Sequence, residues 1–411
     1  MSSDRAGSDR DLDVVVFGAT GFVGRLTAAY LARSAPAGTR IGLAGRSRER
    51  LESVRKNLGE GAADWPLLVA DSTDDAALAE LAAKASVIAT TVGPYARHGL
   101  PLVKACAEAG TNYADLTGEV PFVRASADGY HETAQRTGAR IVHACGFDSV
   151  PSDLGALLTA EAARADDAEL TDTTMVMVSA RGGISGGTVD SMRLLVDEAR
   201  SDAERRRLLL DPYALSPDRD AEPDLGRQSD VTVVGRDEGR WTGTFVMGSF
   251  NTRIVRRSNA LADYAYGKGF RYREVMAFGR GPLGPALAAG TTVGTGGMAL
   301  AMALPATRFL LDRVLPKPGD GPSQATMDRG HFRIETTGKA TNGARYRTTI
   351  TMKGDPGYGA TCVMLGESAL SLALDDDLPG GGGVLTPATA MGDALAGRLR
   401  TAGADITTTR L

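Results

Sequence analysis

A glycine-rich loop near the start of the chain has the residue types and spacing of a phosphate-binding turn. The apolar run Leu12–Phe17 leads into Gly18-Ala19-Thr20-Gly21-Phe22-Val23-Gly24, and a helical pattern begins inside this loop. Glycines allow a tight turn and a close backbone approach, and a helix N-terminus offers unpaired N–H groups to an anion. Since the loop lies at the first strand–helix junction of a βαβ pattern, it predicts a dinucleotide pyrophosphate site. The residues predicted to form it are Gly18, Thr20, Gly21, Phe22, Val23 and Gly24.

The end of the second predicted strand indicates which dinucleotide binds. An NAD(H) site places a carboxylate there for the ribose 2′-hydroxyl, whereas this chain has Arg46, Ser47 and Arg48. Two guanidiniums and a hydroxyl suit a 2′-phosphate, so we predict NADP(H) as the cofactor. The alternative is that both arginines are solvated at a helix start. Asp71, after the third predicted strand, is placed to meet the adenine edge or to cap the next helix.

The fourth predicted strand ends in a turn that carries two proton-transfer candidates. In an open α/β sheet the ligand lies beyond the carboxyl ends of the strands. Here Gly93 and Pro94 form a turn that is followed by Tyr95 and His98. We predict that Gly93 and Pro94 contact the cofactor and that Tyr95 or His98 gives a proton to the substrate. The alternative for His98 is a neutral, partly buried histidine at a helix start.

Two further loops combine carboxylates with hydroxyls. Asp115 and Glu119 form a carboxylate pair after a short strand, although Glu119 could equally cap a helix. The sixth predicted strand ends at Cys145, and the chain then enters a second domain through Asp148 and Ser149. We predict that Asp148 and Ser149 line a cleft between the domains and hydrogen-bond the nicotinamide amide or the substrate.

The elements that would position these residues alternate between buried strands and helices. Strands are predicted at Leu12–Phe17, Arg40–Ala44, Pro66–Ala70, Ser86–Thr90 and Arg140–Ala144. The helices between them are predicted over Gly21–Arg33, Ser47–Leu58, Asp74–Ala83 and Gly99–Ala109. This alternation predicts an α/β fold with a doubly wound parallel sheet of the Rossmann type over residues 12–150.

After Pro151 apolar and polar residues alternate, which is typical of antiparallel strands with one buried face. Such strands are predicted at Thr171–Ala180, Asp230–Val234, Trp241–Met247, Thr252–Val255, His331–Thr337 and Arg345–Lys353. They indicate an inserted α+β domain over 151–380 for substrate binding or dimerisation, in which Asp211–Gln228 is expected to be a mobile loop. Residues 381–411 would return to the Rossmann domain through a helix over Pro387–Arg400, and residues 1–11 would be a disordered lead-in.

Composition and charge argue against several classes of protein. The 411 residues have a formal net charge of −4 and no basic stripe, so a nucleic-acid partner is not expected. The cysteines Cys106, Cys145 and Cys362 form no CxxC pair, and the histidines lack metal-ligand spacing. We therefore expect no metal site, no disulfide framework and a reducing cytoplasm. The polar N-terminal segment does not have the pattern of a signal peptide.

The stretch Gly281–Thr307 contains no charged residue and by length could cross a bilayer. Glycines, threonines and Pro305 dilute its hydrophobicity, so three interpretations stay open. It could be a buried or dimer-forming helix, a contact with a membrane surface or acyl chain, or a true span. The second would place a cytoplasmic protein at the inner face of the plasma membrane.

Four loops, in this order and at these intervals, resemble those of the saccharopine dehydrogenase-like family. They are GATGFVG (18–24), TVGPYARHG (91–99), YADLTGE (113–119) and GFDSVPSDLG (146–155). The closest similarity is to the enoyl reductase branch, the mycobacterial-type trans-acting enoyl reductases. The resemblance continues into GGISGGT (182–188) and GGVLTPATAMG (382–392), and so spans nearly the whole chain.

The resemblance implies a reductase that acts beside a polyketide synthase lacking a working enoyl reductase, in the biosynthesis of long-chain lipids and phthiocerol-type glycolipids. We then expect NADPH to give a hydride to the β-carbon of an α,β-unsaturated acyl thioester. Backbone N–H groups of the Gly93–Tyr95 turn would stabilise the enolate oxygen. An imine- or carbonyl-acting oxidoreductase of the saccharopine dehydrogenase type is the alternative. An alternative of another class is a non-catalytic NADP-binding scaffold at a membrane.

Overall fold

The computed structural model of the chain describes residues 10–182, 202–226, 228–304 and 321–411, with the single residues 193, 196, 197, 200 and 307. These residues form two units. The first unit contains the described residues within 1–117, 125–146 and 362–398, and the second those within 118–124, 147–361 and 399–411. Most of the predicted lead-in and most of the GGISGGT motif lie outside the described residues.

The first unit is built on a seven-stranded sheet in which every pair of neighbours is parallel. Its strands, numbered in chain order, are β1 (Leu12–Phe17), β2 (Ile41–Gly45), β3 (Leu67–Val69), β4 (Ala85–Thr90), β5 (Asn112–Ala114), β6 (Arg140–Val142) and, from near the end of the chain, β13 (Gly383–Leu385). The order is β13-β6-β5-β4-β1-β2-β3. Val14, Val15 and Val16 are fully buried, as expected for a strand covered on both faces. The predicted Rossmann-type sheet is confirmed.

Several helices of the first unit start or end at residues that cap them. The helices of this unit are α1 (Phe22–Ser34), α2 (Arg48–Leu58), α3 (Asp75–Lys84), α4 (Tyr95–Ala109), most of α5 (Val120–Thr137), α11 (Thr361–Leu374), α12 (Pro387–Ala390) and most of α13 (Gly392–Thr401). Asp74 caps α3 by accepting hydrogen bonds from the amides of Ala76 and Ala77. Gly110 ends α4 in the left-handed conformation. The single helix predicted over Pro387–Arg400 is two helices, which meet at Met391 and Gly392.

The second unit contains a mixed seven-stranded sheet. Its strands are β7 (Leu170–Arg181), β8 (Gly235–Asp237), β9 (Arg240–Thr244), β10 (Arg271–Ala277), β11 (His331–Ala340), β12 (Arg345–Lys353) and β14 (Asp405–Arg410). The order is β14-β12-β11-β7-β10-β9-β8, and β7 with β10 is the parallel pair. The helices described here include α6 (Val150–Arg164), α7 (Ala203–Leu210), α8 (Gly248–Leu261), α9 (Gly284–Ala303) and α10 (Gln324–Asp328). The predicted α+β second domain is confirmed.

Two of the strands predicted in this unit were wrong. Thr252–Val255 lies inside α8, which is buried nearly all round because polar Asn251, Thr252 and Ser258 are inaccessible as well as Ile254 and Val255. The window Thr252–Val255 is too short to show a helical period, whereas Phe250, Ile254 and Leu261 together are spaced as on one face of a helix. Asp230–Val234 is irregular, and a strand begins only at Gly235.

The chain returns to the first unit before it rejoins the first sheet, and it then leaves that sheet again. Residues of the first unit resume at Cys362 rather than at 381. β13 pairs with β6, but the final strand β14 pairs with β12 of the second sheet, in the register Ile406 opposite Ile350. The C-terminal segment therefore contributes a strand to each sheet.

The segment Asp211–Gln228, predicted to be a mobile loop, is held by buried arginines of α8. The guanidiniums of Arg253, Arg256 and Arg257 donate to the carbonyl oxygens of Leu209, Pro212 and Leu215 at 3.0, 3.1 and 2.6 Å. Each of these arginines is at most 5% exposed. A sequence search for turn residues misses such anchors, because the donors lie far along the chain.

The uncharged stretch Gly281–Thr307 forms the helix α9, which packs against β9. Ala288 and Met302 face inward, whereas Leu287, Val293 and Leu300 are exposed. None of the helices in the described ranges combines the length and apolarity needed to cross a membrane. Within the described residues α9 is therefore not buried inside the chain, and its interpretations as a dimer-forming helix and as a contact with a membrane surface or acyl chain stay predictions.

Candidate functional site

The glycine loop of the first unit has a geometry that larger residues could not adopt. Gly18 has a φ of +86°, and a Cβ there would lie 2.8 Å from both Thr91 Oγ1 and Val92 Cγ2. A Cβ on Gly24 would lie 2.2 Å from the carbonyl oxygen of Gly18. The first glycine thus allows the turn to pack beneath β4, and the last allows α1 to approach the turn.

The N-terminus of α1 is open to an anion. Its N-cap is Gly21, in extended conformation, and no side chain of the described residues caps it. Because Gly21 has no side chain, the residue at the N-cap does not compete with an anion for the first-turn amides. The Arg25 guanidinium donates to the carbonyl oxygen of Thr20 at 2.8 Å, which holds the loop against the helix. These residues fit a dinucleotide pyrophosphate.

Arg46, Ser47 and Arg48 follow β2 at the same edge of the sheet. Arg46 and Arg48 are exposed, and neither forms an ion pair within the part of the chain that the structure describes. Ser47 is the N-cap of α2: its hydroxyl accepts from the Arg50 amide at 3.3 Å and donates to Glu49 at 2.7 Å. The two guanidiniums are available to a 2′-phosphate, while the Ser47 hydroxyl already has a structural role.

Asp71, which follows β3, interacts electrostatically with Arg46, which follows β2, and with His98, which follows β4. Its Oδ1 accepts from the hydroxyl and the amide of Thr73, at 2.7 and 2.9 Å, and these hydrogen bonds lower the pKa of the carboxyl. Arg46 and His98 lower the pKa further. The structure therefore brings Arg46, Asp71 and His98 into one neighbourhood. Helix capping falls to Asp74, so Asp71 stabilises the turn before that cap.

Tyr95 and His98 both lie in the first turn of α4, but their surroundings differ. The Tyr95 side chain is buried, and its hydroxyl donates to the Thr90 carbonyl at 3.1 Å and accepts from the Leu116 amide at 3.2 Å. His98 is half-buried, and its Nδ1 is shielded without a hydrogen-bond partner among the described residues. Tyr95 thus links the ends of β4 and β5. His98 keeps a shielded ring nitrogen that none of the described residues pairs.

A buried network at the ends of β5 and β6 was missed by the sequence reasoning. Asp115 Oδ2 lies 2.9 Å from the Tyr113 hydroxyl and 2.7 Å from His143 Nδ1, and His143 Nε2 lies 2.8 Å from the Ser126 hydroxyl. Asp115 Oδ1 accepts from the amides of Thr117 and Ala144. Burial, with Asp115 nearby, raises the pKa of Tyr113 well above its usual value.

This network holds the YADLTGE loop, whose Leu116 amide contacts Tyr95. The signal that could have found it is positional. Asp115 and His143 each follow a short strand, and the carboxyl ends of neighbouring parallel strands lie at one edge of a sheet. Sequence reasoning instead paired Asp115 with Glu119.

Asp148 and Ser149 belong to the second unit and precede α6. The Ser149 hydroxyl donates to Asn251 Oδ1 at 3.0 Å, and Ser149 is inaccessible to solvent. Asp148 is partly exposed, and desolvation raises the pKa of its carboxyl to about 6. The pair is thus a buried structural hydroxyl beside a carboxyl that titrates near neutrality.

Glu274 on β10 extends this polar cluster into the core of the second unit. Its carboxylate accepts from Asn251 Nδ2 and from the Tyr272 hydroxyl, both at 2.9 Å. Desolvation raises its pKa to about 7, although hydrogen bonds from Ser152, Asn251 and Tyr272 oppose the shift. The strand β10 was absent from the sequence prediction, so this carboxylate was missed as well.

Comparison with known proteins identifies the family to which the nucleotide-binding domain belongs. Residues 14–142 match the family model described as the saccharopine dehydrogenase NADP binding domain. The first unit therefore contains an NADP(H)-binding domain, and the predicted cofactor is confirmed. The residues predicted to contact that cofactor stay predictions.

Relatives match the chain over nearly its whole length. A Mycobacterium tuberculosis (strain H37Rv) protein, provisionally named a trans-acting enoyl reductase, is 55% identical over 417 residues, 98% of each chain. A protein named trans-acting enoyl reductase from Mycobacterium ulcerans (strain Agy99) is 52% identical and covers 98% of this chain and 99% of its own.

A solved structure has the same fold at low sequence identity. Saccharopine dehydrogenase (L-Glu forming) from Saccharomyces cerevisiae superposes with a TM-score of 0.54 at 14% identity, over 97% of this chain and 99% of its own. The chain is an NADP-dependent oxidoreductase that belongs to the saccharopine dehydrogenase-like family, in its trans-acting enoyl reductase branch.

Proposed function

We propose that this protein uses NADPH to reduce the carbon–carbon double bond of an α,β-unsaturated acyl thioester during polyketide-type lipid or glycolipid biosynthesis. The observation that supports this best is identity above 50% over the whole chain to proteins named trans-acting enoyl reductases. A glycine loop alone would serve any dehydrogenase. Identity that includes the second unit indicates a shared substrate class as well as a shared cofactor.

The first unit provides the cofactor half of the reaction. Bound NADPH would supply the hydride that adds to the β-carbon of the thioester. The open N-terminus of α1 would bind the pyrophosphate, and Arg46 and Arg48 the 2′-phosphate. Gly93, Pro94 and Asp148 are proposed as further cofactor contacts. The contact predicted for Ser149 is not proposed again, because its hydroxyl is buried and donates to Asn251.

The substrate half requires stabilisation of charge and a proton. Addition of hydride to the β-carbon moves the π electrons to the thioester oxygen, giving an enolate. Peptide N–H groups of the Gly93–Tyr95 turn are proposed to stabilise that oxygen. The α-carbon then takes a proton from Tyr95, His98 or water. Tyr95 is supported as the proton donor by the hydrogen bond that fixes its hydroxyl. His98 is supported by its Nδ1, which has no partner among the described residues.

The test is oxidation of NADPH by the purified protein when an enoyl thioester is added. Tyr95→Phe and His98→Ala are compared with the wild type in the same assay, and NADPH affinity is measured separately. A fall in turnover with unchanged affinity assigns the proton role to the altered residue. Unchanged turnover in both variants would exclude both residues as the proton donor and leave water in that role.

The same assay separates the alternatives. Reduction of an imine or a carbonyl compound, but not of the enoyl thioester, would show saccharopine dehydrogenase-type chemistry, for which the fold of the yeast enzyme is the supporting observation. Cofactor binding without turnover of any acceptor would indicate a scaffold. The word trans-acting in the relatives' names supports a substrate carried by a separate polyketide synthase.

We further infer that the protein works at the inner face of the plasma membrane, because long-chain apolar substrates partition into membranes, and that it forms a homodimer. The exposed side chains of α9 support a contact of one of these kinds. Cell fractionation and light scattering of the purified protein test the two inferences separately.

A further inference from the structure

The large apolar side chains that are exposed in the described residues concentrate on the second unit. They cluster in two of its segments, 231–234 and 283–304. Elsewhere in the described residues they are scattered singly, as at Val69 of the first unit and Leu210 of the second. Within these segments Leu283 is 73%, Val293 71% and Leu300 61% exposed. Exposed apolar residues are ordinary when isolated, but a cluster indicates a surface that contacts something apolar.

The two segments form one surface. The Thr292 hydroxyl of α9 donates to the carbonyl oxygen of Thr232 at 3.2 Å. Thr244 of β9 donates to the same carbonyl at 3.1 Å, and the Thr232 amide donates back to Thr244 at 3.1 Å. These bonds hold residues 231–234 beside the helix. We call residues 231–234 and 283–304 together the α9 surface.

The charges beside this surface are unbalanced in favour of cations. The Arg236 guanidinium stacks 4.0 Å from the centre of the Trp241 ring, and that ring packs on Gly284 at the start of α9. Arg280 is exposed, and its guanidinium donates to the backbone carbonyl of Glu238 at 3.4 Å rather than to a carboxylate.

The neighbouring carboxylates are already paired. Asp237 contacts Arg240 at 3.3 Å, and Glu238 contacts Arg345 and Arg347. Arg236 and Arg280 therefore have no carboxylate partner within the described residues, so they are available to an anion outside the chain. An anionic group beside an apolar layer, with a tryptophan at the boundary, matches the chemistry of an anionic lipid surface.

We propose that the α9 surface docks on an anionic lipid bilayer, with α9 lying in the boundary between headgroups and acyl chains. Because α9 carries no charged residue, laying its exposed apolar side chains in this boundary buries no ion, and the cations are supplied beside the helix by Arg236 and Arg280. The proposal names the surface for the membrane contact inferred under the proposed function. The binding itself needs neither NADPH nor turnover.

The experiment is sedimentation of the full chain with vesicles of phosphatidylcholine alone or with added phosphatidylglycerol. We expect the wild type to bind anionic vesicles more strongly than neutral ones. Leu287→Gln/Leu300→Gln should lose roughly tenfold or more of its affinity for both, because two leucines leave the apolar layer. Arg236→Gln should weaken binding to anionic vesicles alone.

Leu210→Gln is the matched control, since Leu210 is 74% exposed but lies outside the α9 surface. It should bind vesicles like the wild type, and NADPH affinity shows that every variant is folded. The proposal would be overturned if the wild-type protein did not bind anionic vesicles. It would also be overturned if the Leu287→Gln/Leu300→Gln variant bound them as well as the wild type does. A wild-type dimer that this double variant abolishes, without vesicle binding, would identify a second copy as the occupant instead. Loss of vesicle binding with enoyl reduction retained in water would leave the proposed activity intact.

Discussion

Nδ1 of His143 lies 2.7 Å from Oδ2 of Asp115, and the two side chains are only 1% and 0% exposed. The same carboxylate accepts from the Tyr113 hydroxyl and from the amides of Thr117 and Ala144. One buried carboxylate thus ties β5 to the segment after β6. It also holds the loop whose Leu116 amide meets Tyr95.

We expect Asp115→Ala to destabilise the protein strongly. The change leaves buried donors on Tyr113, Thr117 and Ala144 without an acceptor, which typically costs about 3–5 kcal/mol when one member of a buried pair is removed. The free energy of unfolding in urea measures this loss. Asp405→Ala, at an exposed site on β14, is the control and should stay within about 0.5 kcal/mol. Equal stability of the two variants would refute the structural role.

Gly24→Ala should weaken NADPH binding. Its Cβ would lie 2.2 Å from the Gly18 carbonyl oxygen, so α1 must move away from the loop that it completes. We expect a loss of about 1–3 kcal/mol in stability and a clear rise in the NADPH dissociation constant. Gly129→Ala in α5 adds a methyl where nothing lies within 4 Å, so affinity should be unchanged and stability equal or higher. Isothermal titration and urea unfolding measure both effects.

Arg46→Ala and Arg48→Ala should lower the preference for NADPH over NADH. A charge-assisted hydrogen bond contributes about 1.5–3 kcal/mol, which corresponds to roughly 10- to 100-fold in affinity. The dissociation constant of NADH should hardly change, because it lacks the 2′-phosphate. Lys56→Ala, at the far end of α2, controls for a general loss of positive charge. An equal loss for both nucleotides would place the arginines elsewhere than at the 2′-phosphate.

Glu274 should make the protein less stable as the pH rises from about 4.5 to about 7. Its pKa is raised from 4.5 to about 7 in the folded state, so in this window the folded chain keeps a proton that the unfolded chain releases. Unfolding therefore becomes easier with rising pH, by up to about 3 kcal/mol. Glu274→Gln has no titratable carboxyl group, so its free energy of unfolding should not decline over this pH range. Urea unfolding at several pH values compares the two, and parallel pH profiles would disprove the shift.

The sequence by itself determined the parallel sheet, the glycine loop and the nucleotide type. Each was predicted from residues that are neighbours along the chain: Gly18 to Gly24 in one turn, Arg46 to Arg48 after one strand, and apolar runs such as Leu12–Phe17. Their physical requirements, a positive φ, an open helix start and burial on both faces, are local. A pattern of neighbours is therefore enough to predict them.

Contacts between distant residues were decided only by the tertiary structure. Asp115 meets His143, and Asn251 meets Glu274, because strands and helices far apart in sequence pack together. Thr252–Val255 was predicted to be a strand although it lies within α8, whose arginines and amides are buried against partners that no local pattern reveals. Burial of a polar group is favourable only when its partner is present, and the partner's position is a property of the fold.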